Sequence, residues 1–105
     1  LAGRTGFAVA ASGYPGWVGD AANPLARLMD GVYRRETGRD MEITAVHVGL
    51  EPSYFQAKAP GLVMVSTGPD ILDAHAVTER APLASLPPYA ALLAGTLEEL
   101  SRTAR

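Results

Sequence analysis

The chain has 105 residues, nine Lys and Arg against eleven Asp and Glu, a formal charge of -2 and 48% hydrophobic residues. That is enough apolar material for one globular domain or a piece of one and argues against intrinsic disorder, while no apolar run approaches the roughly 20 residues of a membrane-spanning helix. The basic residues are scattered, leaving no footprint for nucleic acid or anionic lipid, and the lack of cysteine removes disulfides, thiolate metal sites and cysteine nucleophiles.

Residues 4–11, small and apolar, read as one short strand. They have neither the basic start nor the hydrophobic length of a secretion signal, so a cytoplasmic origin is the expectation. Ser12-Gly13-Tyr14-Pro15-Gly16-Trp17 follows, and glycine and proline at that density stop a strand and make a turn or crossover. A helix is expected from Asn23, which can cap it, with Pro24 suited to its first position and Gly38 ending it. Leu25, Leu28, Met29, Val32 and Tyr33 share its apolar face, and Arg27, Asp30, Arg34 and Arg35 form a solvated polar face.

Residues 41–48 are rich in β-branched side chains and read as a strand stopping at Gly49. Pro52 opens a short helical turn with Tyr54 and Phe55, closed by Pro60-Gly61. Leu62-Val63-Met64-Val65-Ser66 is a continuous apolar run of the kind found in strands covered on both faces of a parallel sheet. The middle of the chain therefore predicts β-α-β and an α/β fold with a mostly parallel sheet flanked by helices. Residues 67–82 show no period and carry Asp70, Asp73 and Glu79; a loop after a buried strand is where open α/β folds bind ligands. Ser85 is the expected cap of a last helix running through Pro87 and Pro88, with Tyr89, Leu92, Leu93, Leu97 and Leu100 on its apolar face.

The chain has two histidines, His47 near the end of the first central strand and His75 in the loop after the second. A neutral imidazole next to a carboxylate is a common zinc ligand, because the carboxylate fixes the tautomer. Each histidine also has a plain reading: a hydrogen-bonded core residue for His47, a surface or capping residue for His75. Glu51 serves equally as an acid, base or substrate contact, or as a helix-start residue. A catalytic zinc needs three protein ligands and an open position, which one loop histidine does not supply. Gly13, Gly16 and Gly19 do not join a strand to a helix as a phosphate loop requires, and no Gly-x-Ser-x-Gly elbow occurs.

The order of these pieces resembles a known family. Tyr14-Pro15-Gly16-Trp17, Asn23-Pro24-Leu25, Ala45-Val46-His47-Val48-Gly49-Leu50-Glu51, Pro60-Gly61-Leu62, Gly68-Pro69-Asp70-Ile71, Asp73-Ala74-His75 and Glu79-Arg80 together look like the carboxyl-terminal portion of an aminoacyl-histidine dipeptidase. These are the Xaa-His branch of the di-zinc exopeptidases of clan MH, metallopeptidase family 20. The resemblance runs from about Tyr14 to the final helix. The chain departs from the family's pattern at Leu72, at Ala76-Val77-Thr78 after the histidine, and at Pro52-Ser53 after Gly-Leu-Glu.

The resemblance implies that residues 1–13 end a lid domain and cross back from it, and that residues 14–105 form the carboxyl-terminal part of a zinc-exopeptidase catalytic domain. It implies that His75 is a metal ligand and that His47, Glu51 and Glu79 lie on the substrate side. The cofactor would be two zinc ions per active site, with the remaining ligands and the general base in an amino-terminal part of the protein, so that the 105-residue chain alone is inactive. The implied partners are a short peptide substrate and that amino-terminal part, with a homodimer left open. Against this stands a reading from another class: an autonomous, noncatalytic α/β interaction module, or a degenerate and inactive peptidase homologue.

Overall fold

The computed structural model describes residues 15–46 and 48–103. The chain divides into two compact units, one of Leu1–Val18 with His47–Leu62 and one of Gly19–Val46 with Val63–Arg105. The described residues form three α-helices, α1 (Pro24–Thr37), α2 (Pro52–Lys58) and α3 (Leu86–Thr103), with a 3-10 turn at Leu83–Ser85 leading into α3. None is long and apolar enough to cross a membrane. The expected strand at residues 4–11, Tyr14 and His47 lie outside the described residues.

In the second unit, α1 forms as its local chemistry dictates. Asn23 Oδ1 accepts from the N–H groups of Leu25 and Ala26, satisfying donors that the helix leaves without partners, and Pro24 at the first position has none to satisfy. The Asn23 amide also donates to the Met64 carbonyl at 2.8 Å, so the cap ties the helix to the chain beyond it. At the other end Gly38 takes the left-handed conformation, φ 71°, and its N–H returns to the Arg34 carbonyl. The apolar stripe buries Ala26, Met29 and Val32 against Leu92 of α3, with Leu25, Leu28, Tyr33, Met41, Val65 and Tyr89 packed around them. Val32 is only 2% exposed. Burying Met29, Val32 and Leu92 contributes about 1.5–3 kcal/mol each, more than an exposed ion pair on the rim adds.

The face that α3 turns to α1 differs from the leucine face expected from the sequence. Leu92, Gly95 and Thr96 are buried and Tyr89 is half-buried, while Leu93, Leu97 and Leu100 are exposed, Leu97 by 67%. The reason is close approach. A Cβ on Gly95 would stand 2.6 Å from Val32 Cγ1, so the missing side chain is the space Val32 occupies. Thr96 tolerates burial because its hydroxyl donates to the Leu92 carbonyl at 2.7 Å. Arg35 closes the seam with a hydrogen bond to Glu99 at 3.0 Å. That bond, opposed by partial desolvation and joined by Glu36, raises the guanidinium above its ordinary pKa. The polar face of α1 is therefore more than solvated surface: Arg34 pairs with Asp30 and Asp40, and Arg35 reaches the neighbouring helix.

The α/β fold with a parallel sheet is not what forms. Among the described residues there is no strand, and the one ladder-type pairing is an isolated antiparallel bridge between Leu72 and Arg80. The described residues of the two central runs take no part in a ladder: Ile43 is 47% exposed, Val46 62% and Val63 49%. Branched and apolar side chains favour a pleated surface only where neighbours pack on it and another strand takes the main-chain hydrogen bonds. Here Met41 and Val65 are drawn onto the helix seam instead, and the Met41 N–H donates to Asp30 at the edge of α1. Residues 41–46 and 63–66 are irregular connections, of which Met41 and Val65 pack on the helix pair.

In the first unit, α2 starts at Pro52 and ends at Lys58. Ala59 precedes Pro60, whose ring disfavours helical backbone in the residue before it, and Ala59 leaves the helix with φ -137° and ψ 79°. Ser53 is buried, with its hydroxyl donating to the Leu50 carbonyl, and Gln56 accepts from the Val18 N–H at 3.1 Å.

Candidate functional site

The segment at residues 67–82, expected to be an open loop, is organised in the second unit by polar contacts. Its base is pinned to the start of α3. The Tyr89 hydroxyl donates to the Thr67 carbonyl at 3.4 Å, and Ser85 Oγ accepts from the Asp70 N–H at 3.2 Å while donating to the Pro82 carbonyl at 2.7 Å. Ser85 was expected to cap α3. Pro87 and Pro88 fall on the second and third helical positions and have no N–H to offer a cap, so its hydroxyl is free to hold the loop.

Within the loop, Leu72 and Arg80 exchange two main-chain hydrogen bonds of 2.8 and 3.0 Å, closing a small ring of chain. Two turns lie inside it, from the Ala76 N–H to the Asp73 carbonyl and from the Glu79 N–H to the Ala76 carbonyl, both at 3.0 Å. Asp73 and His75 adopt positive φ, 52° and 65°, and are the non-glycine residues that do so among those described. Left-handed backbone costs an ordinary residue about 1–3 kcal/mol and persists only where surrounding contacts hold it, and Asp and His are among the side chains that tolerate it best. The contacts here are explicit. Glu79 Oε1 accepts the His75 main-chain N–H at 3.3 Å, and Arg80 Nη1 donates both to Asp73 Oδ2 at 2.5 Å and to the Thr78 carbonyl at 3.2 Å. Residues 70–81 are all exposed, His75 included.

Of the residues singled out in the sequence, His75 and Glu79 are thus brought together, through the main chain of one and the carboxylate of the other. Glu51 lies in the first unit, exposed and at the start of α2, where its side chain makes no capping hydrogen bond. His47 lies outside the described residues. Asp73, Arg80 and Ser85 were missed as organisers of the loop. The pairing of Asp73 with Arg80 spans seven residues of irregular chain, a spacing for which no helix or strand rule brings side chains together, so only the folded loop reveals it.

A metal ion needs several donors converging at one point. Among the described residues no group of three or more His, Asp or Glu side chains is gathered in that way. Within the loop Asp73 is paired with Arg80, and Glu79 accepts the His75 amide. The described residues therefore do not by themselves compose a metal centre; His75 offers one exposed imidazole.

No protein-family model matches the chain, and no solved structure matches it. Over 87 residues, 83% of its length, the chain is 36% identical to the cytosol non-specific dipeptidase of Escherichia coli (strain K12). It spans 18% of the length of that relative. The expected preference for Xaa-His is not carried by this match, since the relative is named as non-specific. What the match supports is coarser: this chain is similar to a stretch of a dipeptidase.

Proposed function

We propose that the polypeptide to which this chain belongs hydrolyses dipeptides, with histidine at the carboxyl-terminal position among its substrates. The observation that carries the reading is the 36% identity to a dipeptidase over 83% of the chain. In this reading His75 is one donor to a zinc centre whose other donors come from outside the described residues, and bound zinc supplies an activated water. His47, Glu51 and Glu79 are assigned to the substrate side. The 105-residue chain alone is inactive, because one imidazole cannot hold a hydrated ion in place.

The test is a hydrolysis assay on a longer polypeptide containing this chain, against a panel of dipeptides with and without a terminal histidine. The expected result is zinc-dependent cleavage that falls by at least about 100-fold in His75→Ala, more than the loss typical of a residue that only supports a ligand. Unchanged turnover and zinc content in that variant would refute the role of His75. Lack of any cleavage by the unaltered polypeptide would instead favour the noncatalytic module or an inactive homologue.

A further inference from the structure

We infer that Arg80 is a positioning residue: by clasping Asp73 and the Thr78 carbonyl it holds the loop in the one closed form in which the His75 main chain is left-handed and its imidazole is exposed. This rests on the proposed use of His75, although the clasp itself stands on the loop geometry alone. Two non-glycine residues with positive φ stand two apart, at Asp73 and His75, and backbone of that kind relaxes unless several contacts oppose it. Burial supplies none of them, since every residue from 70 to 81 is exposed. What remains is the main-chain exchange between Leu72 and Arg80, the two internal turns, the Glu79 carboxylate on the His75 amide and the Arg80 guanidinium.

Arg80 is the one residue that acts at three of these points. Its main chain closes the ring with Leu72, its Nη1 grips Asp73 at the first left-handed position, and the same nitrogen holds the carbonyl of Thr78 just before Glu79. Pulling Asp73 and Thr78 onto one guanidinium fixes the span between them, and His75 lies in that span. The left-handed turn at His75 in turn directs its N–H to Glu79. Glu79 is accordingly a second positioning residue, acting through the His75 amide.

The experiment compares the 105-residue chain with its Arg80→Gln, Arg80→Lys and Glu79→Gln variants by nuclear magnetic resonance. The readouts are the strong amide-to-Hα cross-peak that positive φ produces within His75 and the exchange rate of the His75 amide. Arg80→Gln is expected to weaken the cross-peak and speed exchange by about two- to fivefold, the equilibrium factor of an exposed ion pair, with the resonances of α1 and α3 unmoved. Arg80→Lys, which retains the charge, and Glu79→Gln, which retains a carbonyl acceptor, are expected to restore most of the signature. An Arg80→Gln spectrum unchanged at His75 would overturn the clasp.

A parallel assay of dipeptide hydrolysis in the longer polypeptide separates the two ideas. Arg80→Gln is expected to lower kcat and Arg80→Lys to recover it; full activity in Arg80→Gln despite a loosened His75 would overturn the positioning role. Full activity in His75→Ala would instead sink the functional reading of the histidine, leaving the resonance test of the loop intact.

Discussion

The helix seam and the histidine loop belong to the same unit and are held by opposite means. Between α1 and α3 the contacts are long-range and apolar: Met29, Val32 and Leu92 are buried, and Gly95 leaves the space that Val32 fills. Around His75 the contacts are local and polar, none reaching more than eight residues along the chain inside the ring from Leu72 to Arg80. Burial grows with every carbon withdrawn from water, whereas an exposed hydrogen bond or ion pair exchanges one polar partner for another and gains little. The seam therefore sets the stability of the unit. The loop adds little to that stability and sets only the local backbone geometry at His75.

The contrast can be broken most directly at Leu92. Leu92→Ala is expected to cost about 2–3 kcal/mol, toward the low end for buried leucines because the core is small, read as a drop in the denaturation midpoint. A cost below that of a surface substitution would mean the seam does not hold the unit. Gly95→Ala is expected to destabilise by about 1–2 kcal/mol, because the overpacking against Val32 exceeds the gain in helix propensity; thermal melting would check the sign, and a stabilised variant would show that Val32 can yield. Asn23→Ala removes both the cap of α1 and the amide bond to Met64, and a loss of about 1 kcal/mol in chemical denaturation is expected. The smallest effect belongs to the loop. Arg80→Gln is expected to shift global stability by less than about 1 kcal/mol while loosening His75, and a larger shift in the melting curve would tie loop and seam together.

Legibility in the sequence followed the same division. The first helix could be read to its ends, since Asn23, Pro24 and Gly38 act on neighbours in the chain and need no tertiary partner. The short helix at Pro52 was readable for the same reason, as was its termination before Pro60. The two central strands were not, because a run such as residues 62–66 reports what its side chains favour and not whether another strand lies alongside. The face of α3 was misjudged because leucines at helical spacing mark an apolar stripe, while the stripe in use contains Gly95 and Thr96, chosen by fit to Val32. At the candidate site, His75 and Glu79 stood out by type and order, but the hydrogen bond joining them and the arrangement of Asp73 and Arg80 did not.

Residue identity and order alone determined that this chain carries no cysteine chemistry, that two of its helices begin and end where they do, and that it is similar to a stretch of a dipeptidase. Those properties depend on residue identity or on contacts a few positions apart. The tertiary structure decided which helix faces meet, that Met41 and Val65 pack on the helix pair, and that His75 lies on left-handed backbone beside the paired Asp73 and Arg80. Each of these depends on which groups compete for the same space or the same donor, and that competition is resolved only once the chain has folded.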